Sequence, residues 1–249
     1  MAETSELRKT VDSYKTVSKQ LGHFPTKGEL EQKGKSDLVM LIQDNGGFSY
    51  VRKQAAKENS VERRNALFSL LESYVGKKAG AKTGIAGKVE ANEFFNRDAD
   101  ELAREIVGSY LVRKLPSGLK ATVLLTEVVP FVGLAKTTHQ KDCMSYRAGA
   151  LWVNDRYGNK LVNIACGNAE NPACILLRGG IVKIGYEKPE LLDGPGNFAH
   201  KLRMNEELTG KFIGEEGLKL ERGTLKDKDV EIVRQAGMPR NCLGIYRLK

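Results

Sequence analysis

Thr126-Glu127-Val128-Val129-Pro130-Phe131-Val132-Gly133 closes an apolar run, Ala121-Thr122-Val123-Leu124-Leu125, and precedes His139 in a loop. The run is rich in aliphatic and β-branched residues and is entered through Pro116-Ser117-Gly118, so the pattern predicts a strand fed by a tight turn. Its hairpin partner is Ser109 to Leu115. Residues two apart on a strand share a face, which puts Glu127 and Val129 side by side, about 6.6 Å apart along the chain. Pro130 removes a ladder donor and stiffens the strand at that point.

Upstream, Phe94 to Gly108 has a polar, acidic first turn, then apolar residues at helical spacing, then a glycine stop. Downstream the chain reads as short strands: Leu151-Trp152-Val153 meeting Tyr157-Gly158, then Leu161 to Ala165, Ala173 to Arg178 and Ile181 to Ile184, with Cys242 to Leu248 as a closing strand. Asp193 to Leu202 is a loop feeding a helix. Such a succession predicts an α+β domain over residues 92–249, a curved, mostly antiparallel sheet with flanking helices.

The first 76 residues have a different character. Leu7, Val11, Tyr14, Val17 and Leu21 recur at spacings of three and four, the signature of one helix face. Thr26 and Glu29 have the spacing of a capping box, and Ser36-Asp37 opens a third helix that stops at Asn45-Gly46-Gly47. A further helix is expected from about Ser49 to Lys57 and another capped by Ser60, with Leu67, Leu70, Leu71, Tyr74 and Val75 as its stripe. Residues 1–76 therefore read as a small all-α module of short helices. Residues 77–91, with their glycines and lysines, read as a flexible basic linker.

Composition narrows the function. Of 249 residues, 40 are Lys or Arg and 31 are Asp or Glu, a formal charge of +9 that favours polyanionic partners. Residues 1–90 carry sixteen cationic against eleven acidic side chains, so over half the excess lies in the smaller part, with Arg52, Lys53, Lys57, Arg63 and Arg64 clustered. That cluster fits a helix laid on nucleic acid and equally a solvated face of a protein-docking bundle; both readings stand, as does a protein partner for residues 1–76. Cys143, Cys166, Cys174 and Cys242 form no Cys-x-x-Cys pair and the three histidines are scattered, so neither a zinc site nor any other cofactor is expected. Thiols at this density are expected to be reduced, in an intracellular reducing compartment. No apolar run nears the roughly 20 residues that span a bilayer, and no membrane association is expected.

From Phe94 to Lys249 the landmarks are Gly108, Leu111-Val112-Arg113, Thr126-Glu127-Val128, Leu151-Trp152-Val153 with Tyr157-Gly158, Asn163-Ile164, Leu176-Leu177-Arg178, Gly194-Pro195-Gly196 and Gly244-Ile245-Tyr246-Arg247. In this order and spacing they resemble the alkylpurine (3-methyladenine) DNA glycosylase family. The resemblance implies binding of double-stranded DNA, with RNA an open alternative, and extrusion of a base held between aromatic faces. It implies Tyr157 as a wedge entering the minor groove, Phe131 as a stacking ring, His139 as a contact to base and backbone, Asn163 as the reader of the purine edge, and Arg178 as support for the strand. Arg147 would keep a phosphate contact.

The family's strand reads Thr-Glu-Val-Glu-Ala-Tyr-x-Gly, and its second carboxylate activates the attacking water. Val129 occupies that position here. A valine can neither take a proton nor offset positive charge on the departing sugar. Glu127, re-aimed by a bulge, and Asp155, beside the expected wedge, are the candidate substitutes. Asn154 stands where the family commonly has an aromatic, with Trp152 as an alternative ring; Asn197 replaces a lysine, and the segment from Gln140 to Ala150 is shortened. These departures lie in the groove while the framework motifs persist. The expectation is a nucleic-acid-binding protein on a glycosylase scaffold with lost or altered base excision; an active N-glycosylase of base-excision repair and a structural subunit of a nucleoprotein assembly are the alternatives.

Overall fold

The computed structural model describes residues 5–21, 23–76, 84–85, 88–133, 142–156, 158–223, 229–234 and 238–248. Two compact units divide it, Met1–Leu67 and Phe68–Lys249.

Four helices form the first unit: α1 Ser5–Leu21, α2 Lys27–Gln32, α3 Ser36–Asp44 and α4, which is named Gly47–Gly76 and runs on past the unit. The i, i+4 stripe of α1 puts Leu7, Val11, Tyr14 and Val17 into one core with Leu30, Leu38, Val39, Ile42, Val51 and Ala55. Tyr14 is fully buried, stacked on Phe24 at 5.8 Å, and its hydroxyl donates to the Pro25 carbonyl at 2.9 Å. The capping box at α2 is present: the Glu29 amide donates to Thr26 Oγ1 and the Thr26 amide to the Glu29 carboxylate at 2.7 Å. That backbone donor, with the Thr26 hydroxyl and His23, holds the Glu29 carboxyl down at about 2.

The expected break before Ser60 does not occur. Lys15 of α1, almost wholly buried, reaches Glu58 at 3.0 Å and Glu62 at 2.7 Å, one on either side of Ser60. Burial opposes the Lys15 charge, but hydrogen bonds to Glu62 and Glu58 outweigh it and its pKa is raised. A single cation gripping successive turns keeps the stretch in one helical register, and this tertiary contact overrides the capping preference of serine.

In the second unit follow β1 Gly84–Ile85, α5 Lys88–Phe95, α6 Ala99–Ile106, β2 Tyr110–Lys114, β3 Lys120–Val132, β4 Leu151–Arg156, β5 Asn159–Gly167, β6 Pro172–Ile184, β7 Glu190–Leu192, α7 Pro195–Lys201, β8 Leu218–Glu221, β9 Val230–Val233 and β10 Ile245–Leu248. The strands make a ten-stranded sheet of order β1-β8-β2-β3-β6-β5-β4, with β7 on β6 and β10 joined to both β3 and β9. Every pairing is antiparallel. With its helices this is the α+β fold expected for the region. Within the residues expected to form the linker, β1 pairs with β8 and α5 begins at Lys88. Asp98 caps α6, accepting from the Asp100 and Glu101 amides.

The long strands β3 and β6 form the spine. Their first halves are bordered by different neighbours from their second halves, because β2 pairs with Tyr110 opposite Leu124 whereas β10 pairs with Val128 and Glu127. The two strands expected over Ala173–Arg178 and Ile181–Ile184 are one, continuous through Gly179-Gly180. A methyl on Gly180 would come within 2.5 Å of Val123 Cγ1 and 2.8 Å of the Leu124 carbonyl oxygen, so only glycine lets β6 lie this close to β3.

Candidate nucleic-acid interface

The pairing of β3 with β6 is regular except between Leu125 and Val128, where Glu127 faces Gly179 and the register shifts on both sides of it. This is the irregularity that re-aiming Glu127 would need, and nothing in the sequence of β3 required it. It turns the Glu127 carboxylate onto two cations. Arg178 Nε lies 3.3 Å from one carboxylate oxygen and Arg247 Nε 3.7 Å from the other; Arg247 also lies 3.4 Å from Glu231. Neither Nε–H forms an aligned hydrogen bond, so the contacts are ionic. Glu231, Arg247, Glu127 and Arg178 thus form a row of alternating charge across β9, β10, β3 and β6.

One step along the strand the chemistry changes. Val129 pairs with Leu176, Leu176 with Asn163, and Asn163 with Trp152, and directly paired residues share a face. Phe131 likewise pairs with Cys174 and Cys174 with Ala165. Val129 and Phe131 are buried in a cluster with Cys143, Met144, Ala165, Cys174 and Ile245, with Trp152 and Leu176 packed against it. Cys143 and Met144 come from a one-turn 3-10 helix, Cys143–Ser145, in the segment that the sequence shows to be short. Burial and the hydrogen bond that its thiol donates to Cys143 push Cys174 well above its ordinary value, so it stays protonated and apolar in character. The place where a water would need a base is packed hydrocarbon and sulfur.

Asn163 breaks this pattern. It is almost fully buried, yet neither its amide nitrogen nor its oxygen has a hydrogen-bond partner among the described residues. The buried Asn154 Oδ1, also on β4–β5, is likewise unmet. Leaving such a donor and acceptor unpaired costs about 1–3 kcal/mol per group.

The structure therefore brings Glu127, Val129, Phe131, Trp152, Asn154, Asn163 and Arg178 onto one side of β3–β6–β5–β4. Asp155 is not with them. It alternates to the opposite face from Trp152 and Asn154, is exposed, and pairs with Lys160, which also binds Glu206. Arg147 is exposed in the turn after the 3-10 helix. Tyr157 and His139 lie outside the described residues. Beside the β4–β5 hairpin is a cleft of about 490 Å³ lined in part by Asn159, Lys160, Asn197, His200 and Arg203; in it the Asn197 amide donates back to the Asp193 carbonyl at 2.8 Å. Among the described residues no three His, Cys, Asp or Glu side chains converge on a metal position, and no helix is long and apolar enough to cross a membrane.

Sequence reasoning missed the partners of Glu127 from β10 and β9, and the residues of the 3-10 helix that cover Val129. The pairing of Arg247 with Glu127 is set by register between distant segments, for which a single sequence carries no signal.

Residues 93–242 match the model of a family described as methylpurine-DNA glycosylase (MPG). The chain is similar to a DNA-3-methyladenine glycosylase of Homo sapiens, 26% identical over 174 residues, which are 58% of this chain and 58% of the relative. It is also similar to a putative 3-methyladenine DNA glycosylase of Natranaerobius thermophilus, 24% identical over 143 residues, 49% of this chain and 72% of the relative.

Proposed function

Since the chain belongs to the methylpurine-DNA glycosylase family, we propose that it binds duplex DNA through the Val129 face of its sheet, with base-excision activity lost or altered. The observation that carries this reading is the burial of Val129 among Phe131, Cys143, Met144 and Ile245. Hydrolysis of an N-glycosidic bond needs a carboxylate within hydrogen-bond reach of the attacking water. The nearest on this face, Glu127, is engaged by Arg178 and Arg247. Asp155 faces the other way and is neutralised by Lys160. Binding, by contrast, keeps its means: Asn163 carries an unpaired donor and acceptor for a purine edge, Trp152, partly buried on the same face, a ring, and Arg147 an exposed cation for a phosphate. Tyr157 and His139 are assigned the wedge and the base contact on the family resemblance.

The test is to incubate the protein with duplexes carrying a single hypoxanthine or alkylated adenine and to measure both abasic sites and binding. The expected result is salt-sensitive binding without abasic sites. Turnover that disappears in Glu127→Ala would instead establish an active glycosylase with a relocated base. Neither binding nor turnover would leave the assembly role, to be sought by co-purification.

A further inference from the structure

Helix α4 carries an array of cations that its own unit leaves without counter-charges. Val51 and Ala55 turn one side of it into the core of the first unit. Lys53, Lys57 and Arg64, four and seven residues apart, fall on a single stripe away from that core, and all three are exposed. Between Gly47 and Leu67 the helix has two carboxylates, Glu58 and Glu62, and both are turned to Lys15. Among the described residues no carboxylate answers Lys53, Lys57 or Arg64. The grip of Lys15 thus has a second effect: it sorts the charges of α4, drawing both acids to the Lys15 side and leaving these bases on the opposite one. Tyr50, 43% exposed, lies on the same stripe one turn before Lys53.

We propose that this stripe is a second, sequence-independent DNA-binding surface, on which Lys53, Lys57 and Arg64 contact the phosphodiester backbone of a duplex. The helix places the first two cations about 6 Å apart and the third about 10.5 Å further on, along a rigid rod. Such a surface neutralises phosphates and releases counterions without reading bases. The large apolar side chains near it, Tyr50 and Val61, are separated by the cations and make no contiguous patch for a protein partner. The surface is independent of the Val129 face of the sheet and adds affinity to whatever that face recognises.

The test uses the whole chain with an undamaged duplex of about two helical turns and the same duplex carrying a single hypoxanthine, with dissociation constants measured by fluorescence anisotropy across a salt series. The variants are Lys53→Ala/Lys57→Ala/Arg64→Ala, the charge-preserving Lys53→Arg/Lys57→Arg/Arg64→Lys, and Asn163→Leu, with circular dichroism melts to verify folding. Loss of three phosphate contacts should lower the salt slope by about 2.7 and weaken binding on the order of 100-fold near 0.1 M salt. The charge-preserving variant should bind as wild type does. Unchanged affinity and slope in the triple alanine variant overturn the proposal, as does a wild type that binds no duplex. Asn163→Leu keeps the two surfaces apart: if it leaves any preference for a modified base untouched while the alanine variant weakens all duplexes, the reading of the sheet face fails and this one stands.

Discussion

Val129→Glu returns to this chain the carboxylate that the family carries, and the structure predicts that it lowers stability without conferring excision. Val129 is 5% exposed and faces Phe131, Met144 and Cys174. A carboxyl there is desolvated, and a fully buried glutamate has its pKa raised by several units. The sign follows from linkage. With the folded pKa above the unfolded value, the folded state keeps a proton that the unfolded state has lost, so stability is complete at low pH and falls as pH rises. The loss is about 1.4 kcal/mol per pH unit above about 4.3, hence about 4 kcal/mol by neutral pH, with a further ~1–2 kcal/mol at any pH from the larger side chain in a packed cluster. Arg178 and Arg247 are already engaged by Glu127. Urea unfolding of wild type and variant at about pH 5 and pH 7 measures the effect: the difference between the two proteins should widen by about 2.7 kcal/mol over that interval. A gap that is the same at both values, together with abasic sites formed at hypoxanthine, would refute the reasoning, because it would require Val129 to stand at an open, hydrated site.

Other expectations are equally direct. Asn163→Leu should leave stability unchanged or raise it by about 1 kcal/mol, since it removes two unmet buried polar atoms, while abolishing any preference for a modified purine; a loss of more than ~2 kcal/mol would mean that the amide is a structural element. Gly180→Ala should destabilise by about 1–3 kcal/mol in thermal or urea unfolding, because the added methyl meets Val123 and the Leu124 carbonyl. The Glu29 carboxyl, depressed to about 2, should show that midpoint by NMR; its stabilising effect is present above the unfolded value of 4.5 and is lost as pH falls toward 2, and Thr26→Ala, which removes the hydroxyl donor and keeps the amide, should move the midpoint part of the way back up.

What the sequence discloses and what it hides divide along the range of the interactions involved. The β3 strand, its hairpin with β2, the capping box of Thr26 and Glu29, and the buried stripe of α1 are set by neighbours within a few residues, and all are legible. The continuity of α4 is not, because it depends on Lys15 reaching Glu58 and Glu62 from another helix. The site shows the same contrast. The valine at position 129 can be read from the chain, but its meaning comes from Cys143 and Met144 folding over it and from Arg247 arriving on β10 to hold Glu127. Asp155 is close to the expected wedge in sequence, and strand alternation alone carries it to the far face.

The position of β10 also governs the order in which the second unit can be assembled. This strand lies between β3 and β9 and is made long after β3. Until it leaves the ribosome, the second half of β3, with Val128 and Val129, has one open edge and an uncovered apolar side. The first unit closes its core within its own 67 residues and can form once they have emerged, whereas the sheet must wait for a partner drawn from far along the chain, the arrangement that folds slowly and leaves a strand edge exposed to other chains. The same register that gives Glu127 its second arginine therefore makes the middle of the sheet the last part of it to be sealed.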